Sequence, residues 1–187
     1  MQNMEFILES PRLGFRLMAD SDFEQLKLLD MDPEVRAFFP GGIASPKQIR
    51  ERIERNRLNF AVKGYCDFAV IHKESGRFAG RCGFGDLPDG EIEVGYVFLK
   101  EFWGQGLAQE ALSALLHWAE QHLDVERILA YAPTAHTASI NVMKKSGMRY
   151  LKTEKAHGVD CFYYSYPISE RHHGPATDGG RFPAESD

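Results

Sequence analysis

The stretch from Glu91 to Leu123 restricts the fold of this chain more than any other. It opens as Glu-Ile-Glu-Val-Gly-Tyr-Val-Phe-Leu-Lys, passes through Glu-Phe-Trp-Gly-Gln-Gly, and ends in an apolar-periodic run to Leu123. The first part alternates apolar and polar residues and is rich in β-branched and aromatic types, which predicts a strand. The last part repeats Leu107, Ala108, Ala111, Leu112, Leu115, Ala119 and Leu123 at helical spacing. Between them lies the joint Gly104-Gln105-Gly106. A strand that enters a helix through such a joint presents the unpaired N–H groups of the first turn and the positive end of the macrodipole, and glycine lets a ligand approach the backbone. The joint is therefore an expected anion site, with a pyrophosphate as the expected ligand.

The rest of the chain narrows what that ligand belongs to. A length of 187 residues predicts one domain, here 1–169, followed by a Gly-, Pro- and Asp-rich tail over 170–187 expected to be flexible. A net charge of −5, with no Lys/Arg-dense face, argues against a nucleic-acid binder. No apolar run is long enough for a membrane span, and the first residues lack the pattern of a secretory signal. Cys66, Cys82 and Cys161 are scattered without metal-ligand spacing, so they read as packing residues of a cytoplasmic protein. His172-His173 alone is too few ligands for a metal, so none is expected.

In chain order, Phe6 to Met18 holds one or two short strands. Ser21-Asp22-Phe23-Glu24 reads as a capping box, Asp32-Pro33-Glu34 as the start of a second short helix, and Ser45-Pro46-Lys47-Gln48 as another capped start, its helix running to about Asn56. The Arg- and Glu-rich side of that helix reads as a solvated face. Short turns at Lys73–Gly76 and Pro88–Gly90 join Tyr65–Ile71, Phe78–Phe84 and Glu91–Leu99 into an antiparallel meander. After the long helix come a buried strand at Arg127–Tyr131, a helix at Ala138–Lys145 capped by His136 or Thr137 and ended by Gly147, and a hairpin of Arg149–Lys155 with Cys161–Ile168.

A dinucleotide fold fits poorly. Gln109 replaces the third glycine of Gly-x-Gly-x-x-Gly, and Asp124 precedes the next strand instead of ending it. Trp103-Gly104-Gln105-Gly106-Leu107-Ala108 with Glu110-Ala111 instead resembles the acetyl-coenzyme A loop of the GNAT superfamily of N-acetyltransferases, and within it the Rim-type group. Gly95-Tyr96 on the preceding strand, His136-Thr137-Ala138-Ser139, Met143, Gly147-Met148 and the early Pro11-Arg12-Leu13 and Arg16 extend the resemblance over roughly Leu8 to Ile168. It implies a mixed α/β (α+β) fold with a mostly antiparallel sheet of about seven strands flanked by about four helices, splayed at the central strands.

The resemblance also implies a function. Acetyl-CoA would be the cosubstrate and a primary amine, a protein N-terminus or a small molecule, the acceptor, in a monomer or homodimer. The diphosphate would lie on the backbone of Gly104 to Ala108, with Trp103, Gln105 and Leu107 in the same loop and no cationic side chain needed. The pantetheine arm would run along Tyr96-Val97-Phe98, where a backbone N–H near Val97 or Phe98 would polarise the thioester carbonyl. Glu93 is the first candidate base for the amine, with Glu91 on the same strand face as an alternative. Glu110, in the first helical turn, reads as a complement to the dipole. Because Met143 stands where many relatives carry a Tyr, Ser139 or no residue at all would protonate the leaving thiolate, and direct attack of the amine on the bound thioester in a ternary complex would be the plainest mechanism. Ser139 and His136 are also candidate cofactor contacts, although His136 replaces the usual Asn. The acceptor pocket would draw on the N-terminal helices and the loops Phe38–Ile43, Asp86–Gly90 and Lys155–Asp160. The competing reading is a GNAT-like module that binds acyl-CoA without turnover.

Overall fold

A computed structural model describes residues 5–39 and 41–168. The tail and its His172-His173 pair lie outside those residues. The order is β1 (Leu8–Glu9), β2 (Leu13–Arg16), α1 (Phe23–Asp30), α2 (Pro46–Lys63), β3 (Asp67–His72), β4 (Arg77–Asp86), β5 (Ile92–Phe98), α3 (Leu107–His122), β6 (Arg127–Pro133), α4 (Thr137–Lys145), β7 (Arg149–Ala156) and β8 (Val159–Pro167). All eight strands form one sheet in the order β1-β2-β3-β4-β5-β6-β8-β7. The strand beyond the expected seven is β1, only Leu8–Glu9, antiparallel to β2 through Leu8 opposite Phe15.

Local signals and their outcome differ by element. Ser45 and Gln48 form the expected box: Gln48 N–H donates to Ser45 Oγ at 3.3 Å and Ser45 N–H to Gln48 Oε1 at 2.8 Å. The helix behind them runs two turns past Asn56, until Gly64 at φ 77° ends it. Ser21 does not cap α1. It lies in a 3-10 turn over Asp20–Asp22. The Asp22 carboxylate accepts the Ala19 N–H at 2.8 Å and the Arg16 guanidinium at 2.6 and 2.7 Å, so a buried ion pair replaces the box. The helix expected at Asp32-Pro33-Glu34 is reduced to turns. Asp32 Oδ1 does accept the N–H groups of Glu34 and Val35, but Phe38 is drawn to His136 and Arg36 to Asp30 and the Phe39 ring, and the turn does not continue.

The helices cover the sheet from both sides. Trp118 of α3 stacks on Phe84 of β4 with ring centroids 5.7 Å apart, and Leu112, Leu115 and Ala119 beside it are fully buried. Arg81, adjacent to Cys82 and so on the opposite face of β4, meets Asp30 at the end of α1. One seam of the sheet is thin. β4 and β5 pair over all seven residues of β5, and β6 and β8 over all seven of β6. The parallel pair β5 and β6 meets at Glu93 opposite Leu129 alone. Beyond that point the two strands diverge, and among the described residues Gly95 to Phe98 have a free edge. This is the expected splay.

Candidate active site

Glycine sets the geometry of the α3 entrance. Gly104 and Gly106 adopt φ of 71° and 76°, left-handed conformations that cost an L side chain about 1–2 kcal/mol. Gly106 is the N-cap of α3 and has no side chain to cap with, so the first N–H groups of the helix have no side-chain acceptor. Around it the loop is tied by its own polar groups. The Trp103 indole N–H donates to the Phe98 carbonyl at 2.7 Å, and the Gln105 amide donates to the Glu101 carbonyl at 2.7 Å. Leu107 turns its side chain into the core and offers only backbone to a ligand.

A cation does stand at this loop. The Arg12 Nε donates to Glu110 Oε2 at 2.7 Å, and its Nη1 donates to the Gln105 carbonyl at 3.0 Å. Its Nη2 lies 3.7 Å from the position a Cβ on Gly106 would take. Glu110 also accepts from Ser10 Oγ and from the Arg12 N–H. Burial pushes its carboxyl upward, but these donors and the Arg12 charge outweigh that and hold it below the ordinary range. An acidic residue one turn from an anion site would repel the ligand; the ion pair with Arg12 neutralises it.

The thin seam holds the titratable groups. Glu93 sits at the one pairing of β5 with β6, and among the described residues its carboxylate has no hydrogen-bond or ion-pair partner. Burial, helped by the charge of Asp67, pushes it up to about 7. Glu91, two residues earlier on the same face, is bound instead by the Arg127 guanidinium. On the other face, the Tyr96 side chain reaches from β5 to the first turn of α4. Its hydroxyl donates to the Ser139 carbonyl at 3.0 Å and lies 2.9 Å from Ser139 Oγ. Burial pushes the phenol up to about 12. His136 is the N-cap position of α4, yet neither it nor Thr137 caps with its side chain. Its ring stacks on Phe38 at 4.1 Å and 8°, and burial lowers its pKa.

The residue range that carries these features matches a known family model, the acetyltransferase (GNAT) domain, over residues 12–149. The chain belongs to the GNAT acetyltransferase family. Relatives of this GNAT domain include the uncharacterized protein YkkB of Bacillus subtilis, 32% identical over 157 residues that cover 81% of this chain and 90% of that protein. The uncharacterized N-acetyltransferase p20 of Bacillus licheniformis is 28% identical over 168 residues, 84% of this chain and 94% of that one. Among solved structures, an acetyltransferase (GNAT family) from Bacillus anthracis superposes with a TM-score of 0.75 at 26% identity, covering 86% of this chain and 98% of its own. RimL, a ribosomal L7/L12 alpha-N-protein acetyltransferase in complex with coenzyme A, shares the fold with a TM-score of 0.74 at 21% identity, covering 88% of this chain and 98% of its own.

The structure thus brings Tyr96 to Ser139, sets Glu93 on the opposite face of β5 where β5 and β6 part, leaves His136 stacked on Phe38, and places Trp103 to Ala108 after the end of β5. The side chains of Val97 and Phe98 are buried, and of their backbones that of Phe98 faces the free edge while that of Val97 faces β4. Met143 is core, 1% exposed. Two things escaped the sequence. Arg12 reaches a loop more than ninety positions away. Arg52 leaves the solvated face of α2 for a buried network in which Asp30 and Asp67 meet Arg36, Arg52 and Arg81. Five residues so dispersed carry no joint signal in sequence. Among the described residues no cluster of His, Cys, Asp and Glu has the makings of a metal site, and no helix is long and apolar enough to cross a membrane.

Proposed function

We propose that this GNAT domain transfers the acetyl group of acetyl-CoA to a primary amine, on a protein N-terminus or a small molecule, with Glu93 as the base. The observation that carries the reading is Glu93 itself: a carboxylate at the branch point of the split strands, unpaired, and pushed up to about 7. An amine with a pKa near 10 is mostly protonated at neutral pH, and a base poised near 7 is suited to take its proton, directly or through water.

The residues present fit the cosubstrate. The uncapped N-terminus of α3, with left-handed Gly104 and Gly106 and the Nη2 of Arg12 beside it, suits a diphosphate. On the free edge of β5 the N–H groups of Tyr96 and Phe98 and the Tyr96 carbonyl face outward and suit an extended amide-bearing arm, while the Val97 backbone turns to β4 and the Phe98 carbonyl is held by Trp103. Acetyl-CoA, when bound, supplies an acyl carbon activated by a thiol leaving group. Glu93 removes the proton of the incoming amine. The Tyr96 hydroxyl, bonded to Ser139, would turn its proton from the Ser139 carbonyl to the departing sulfur, a role for which the sequence offered Ser139 or no donor at all. The free, buried thiols Cys66, Cys82 and Cys161 suit a cytoplasmic protein.

Calorimetry with acetyl-CoA, together with thiol release across a panel of amines and N-terminal peptides, tests the reading. Binding with sustained thiol release supports transfer. Binding without release from any acceptor supports a non-catalytic acyl-CoA module, and no binding removes both.

A further inference from the structure

A glycine inside a strand costs stability, because it carries more chain entropy and leaves a gap in the packing. It persists where another backbone or a ligand comes close. The strand glycines here can be sorted on that criterion. A Cβ on Gly80 would run into the Val97 carbonyl and the Phe98 Cα, and one on Gly83 into the Cys66 carbonyl and the Asp67 Cα. A Cβ on Gly14 would strike the Phe6 ring, while one on Gly85 would make only ordinary contact with Glu93, 3.6 Å from its Oε1. Gly95 has none of these reasons. Its backbone is not left-handed, and a Cβ there would meet nothing within 4 Å. It is exposed in the middle of β5, between Val94 and Val97, which are both buried.

The position of Gly95 gives that gap a use. It is on the same face of β5 as Glu93 and Val97. Its partner across the β4–β5 ladder is Gly83, and the partner of Glu93 is Gly85. A bare patch of backbone therefore adjoins the carboxylate, bounded on the β3 side by Asp67, which lies opposite Gly83 and is held by Arg81. Residues two apart on a strand are about 6.7 Å apart. A nitrogen hydrogen-bonded to Glu93 at about 2.8 Å has its first two carbons within that span.

We propose that Gly95 is the floor of the acceptor site: its missing side chain leaves room for the carbon that bears the primary amine and for the first substituent on that carbon. The proposal rests on the reading of Glu93 as the base and assigns a size-setting residue to the amine's side of the reaction. A branched amine, as at a peptide N-terminus, uses the space above Gly95. An added side chain there would obstruct the acceptor and leave acetyl-CoA, held from the free edge of β5 and the α3 loop, in place.

The test uses the full chain and does not require the natural acceptor. Cys66, Cys82 and Cys161 are buried, so the native protein gives a silent background to a small thiol reagent. The variant Gly95→Cys is treated under native conditions with methyl methanethiosulfonate, followed by intact-mass spectrometry and acetyl-CoA calorimetry. One added methylthio group per chain in the variant, none in the wild type, and an acetyl-CoA affinity within about twofold of wild type support the proposal. No labelling of native Gly95→Cys overturns it, since the space would be closed. Labelling that weakens acetyl-CoA by roughly tenfold or more also overturns it, since the space would belong to the cosubstrate. Gly95→Ala guards against misfolding: its melting temperature should equal or exceed that of wild type, and a drop of more than about 5 °C would show that the Cβ does not enter open space. With any amine the wild type acetylates, Gly95→Val should lose roughly tenfold or more in kcat/KM, more for an α-branched amine than for its unbranched analogue; equal activity overturns the proposal. A wild type that fails to bind acetyl-CoA removes the functional reading, while the labelling result still reports whether the space is open.

Discussion

Replacing Glu93 by Gln separates two consequences of one buried carboxylate. Burial and Asp67 raise its pKa from the ordinary 4.5 to about 7. Between those values the folded chain holds a proton that the unfolded chain has released. Stability therefore falls as pH rises through this window, the reverse of a salt-bridged acid. Above both values the cost is about 3 kcal/mol at most, from about 1.4 kcal/mol per pKa unit. The neutral amide of Glu93→Gln would carry no such cost, so the variant should match wild type near pH 4 and exceed it by up to about 3 kcal/mol at pH 8. For a chain of this length that corresponds to about 6–10 °C in melting temperature. Turnover should move the other way. The kcat/KM of the wild type should rise through pH 7, and the variant should lose that inflection and about 10²–10⁴ in rate. Urea unfolding of both proteins at pH 4, 6 and 8, beside thiol-release profiles over the same range, reads both effects. A stability difference that stays flat from pH 4 to 8 would refute the buried, unpaired carboxylate. A shared inflection in the rate profile would refute its role as base.

Three further outcomes follow from the site and its support. Tyr96→Phe removes the hydroxyl that bonds Ser139; kcat should fall about tenfold or more while the KM for acetyl-CoA holds, and a matched rise in KM would make Tyr96 a binding residue only. Arg12→Ala strands the Glu110 carboxylate beside the α3 N-terminus; calorimetry should show about tenfold weaker acetyl-CoA binding with little change for acetyl-pantetheine, which lacks the diphosphate, and equal losses on both would refute the phosphate contact. Arg81→Met leaves Asp30 fully buried with fewer cations. Burial alone would raise the Asp30 pKa, but Arg81, Arg52 and Arg36 outweigh it and hold it low, so the network stabilises the fold above the usual carboxylate range and weakens as pH falls. The variant should lose about 3–5 kcal/mol at pH 7 and less near pH 4, and urea unfolding that shows under about 1 kcal/mol at pH 7 would contradict it.

What could be read from the sequence was whatever a few neighbouring residues decide together. The Ser45–Gln48 box, the meander turns and the joint at Gly104–Gly106 are of this kind, and each formed where its local chemistry placed it. Ser21 misled because Asp22 had a stronger partner in Arg16, and α2 outran its expected end because the stop was Gly64. The contacts that assemble the site span long stretches of chain, as Tyr96 with Ser139, Arg12 with Glu110, and Arg52 with Asp30 do, and no window of sequence contains both members.

A second, less obvious limit is that much of the site consists of groups without partners. Among the described residues, the helix N-terminus at Gly106 lacks a side-chain cap, β5 lacks a neighbour past Glu93 and Glu93 lacks a counter-ion, and Gly95 has no side chain. Sequence patterns report the groups a chain possesses, and burial and pairing decide which of them are left unsatisfied. Each of these features costs the fold something: an uncapped end, an unpaired strand edge, a charge kept from water, an entropic glycine. They all lie along β5 and the loop behind it. A chain that gains nothing from a ligand has little reason to collect such costs on one strand. Their coincidence there is the strongest structural argument that β5 meets both the acyl donor and the amine.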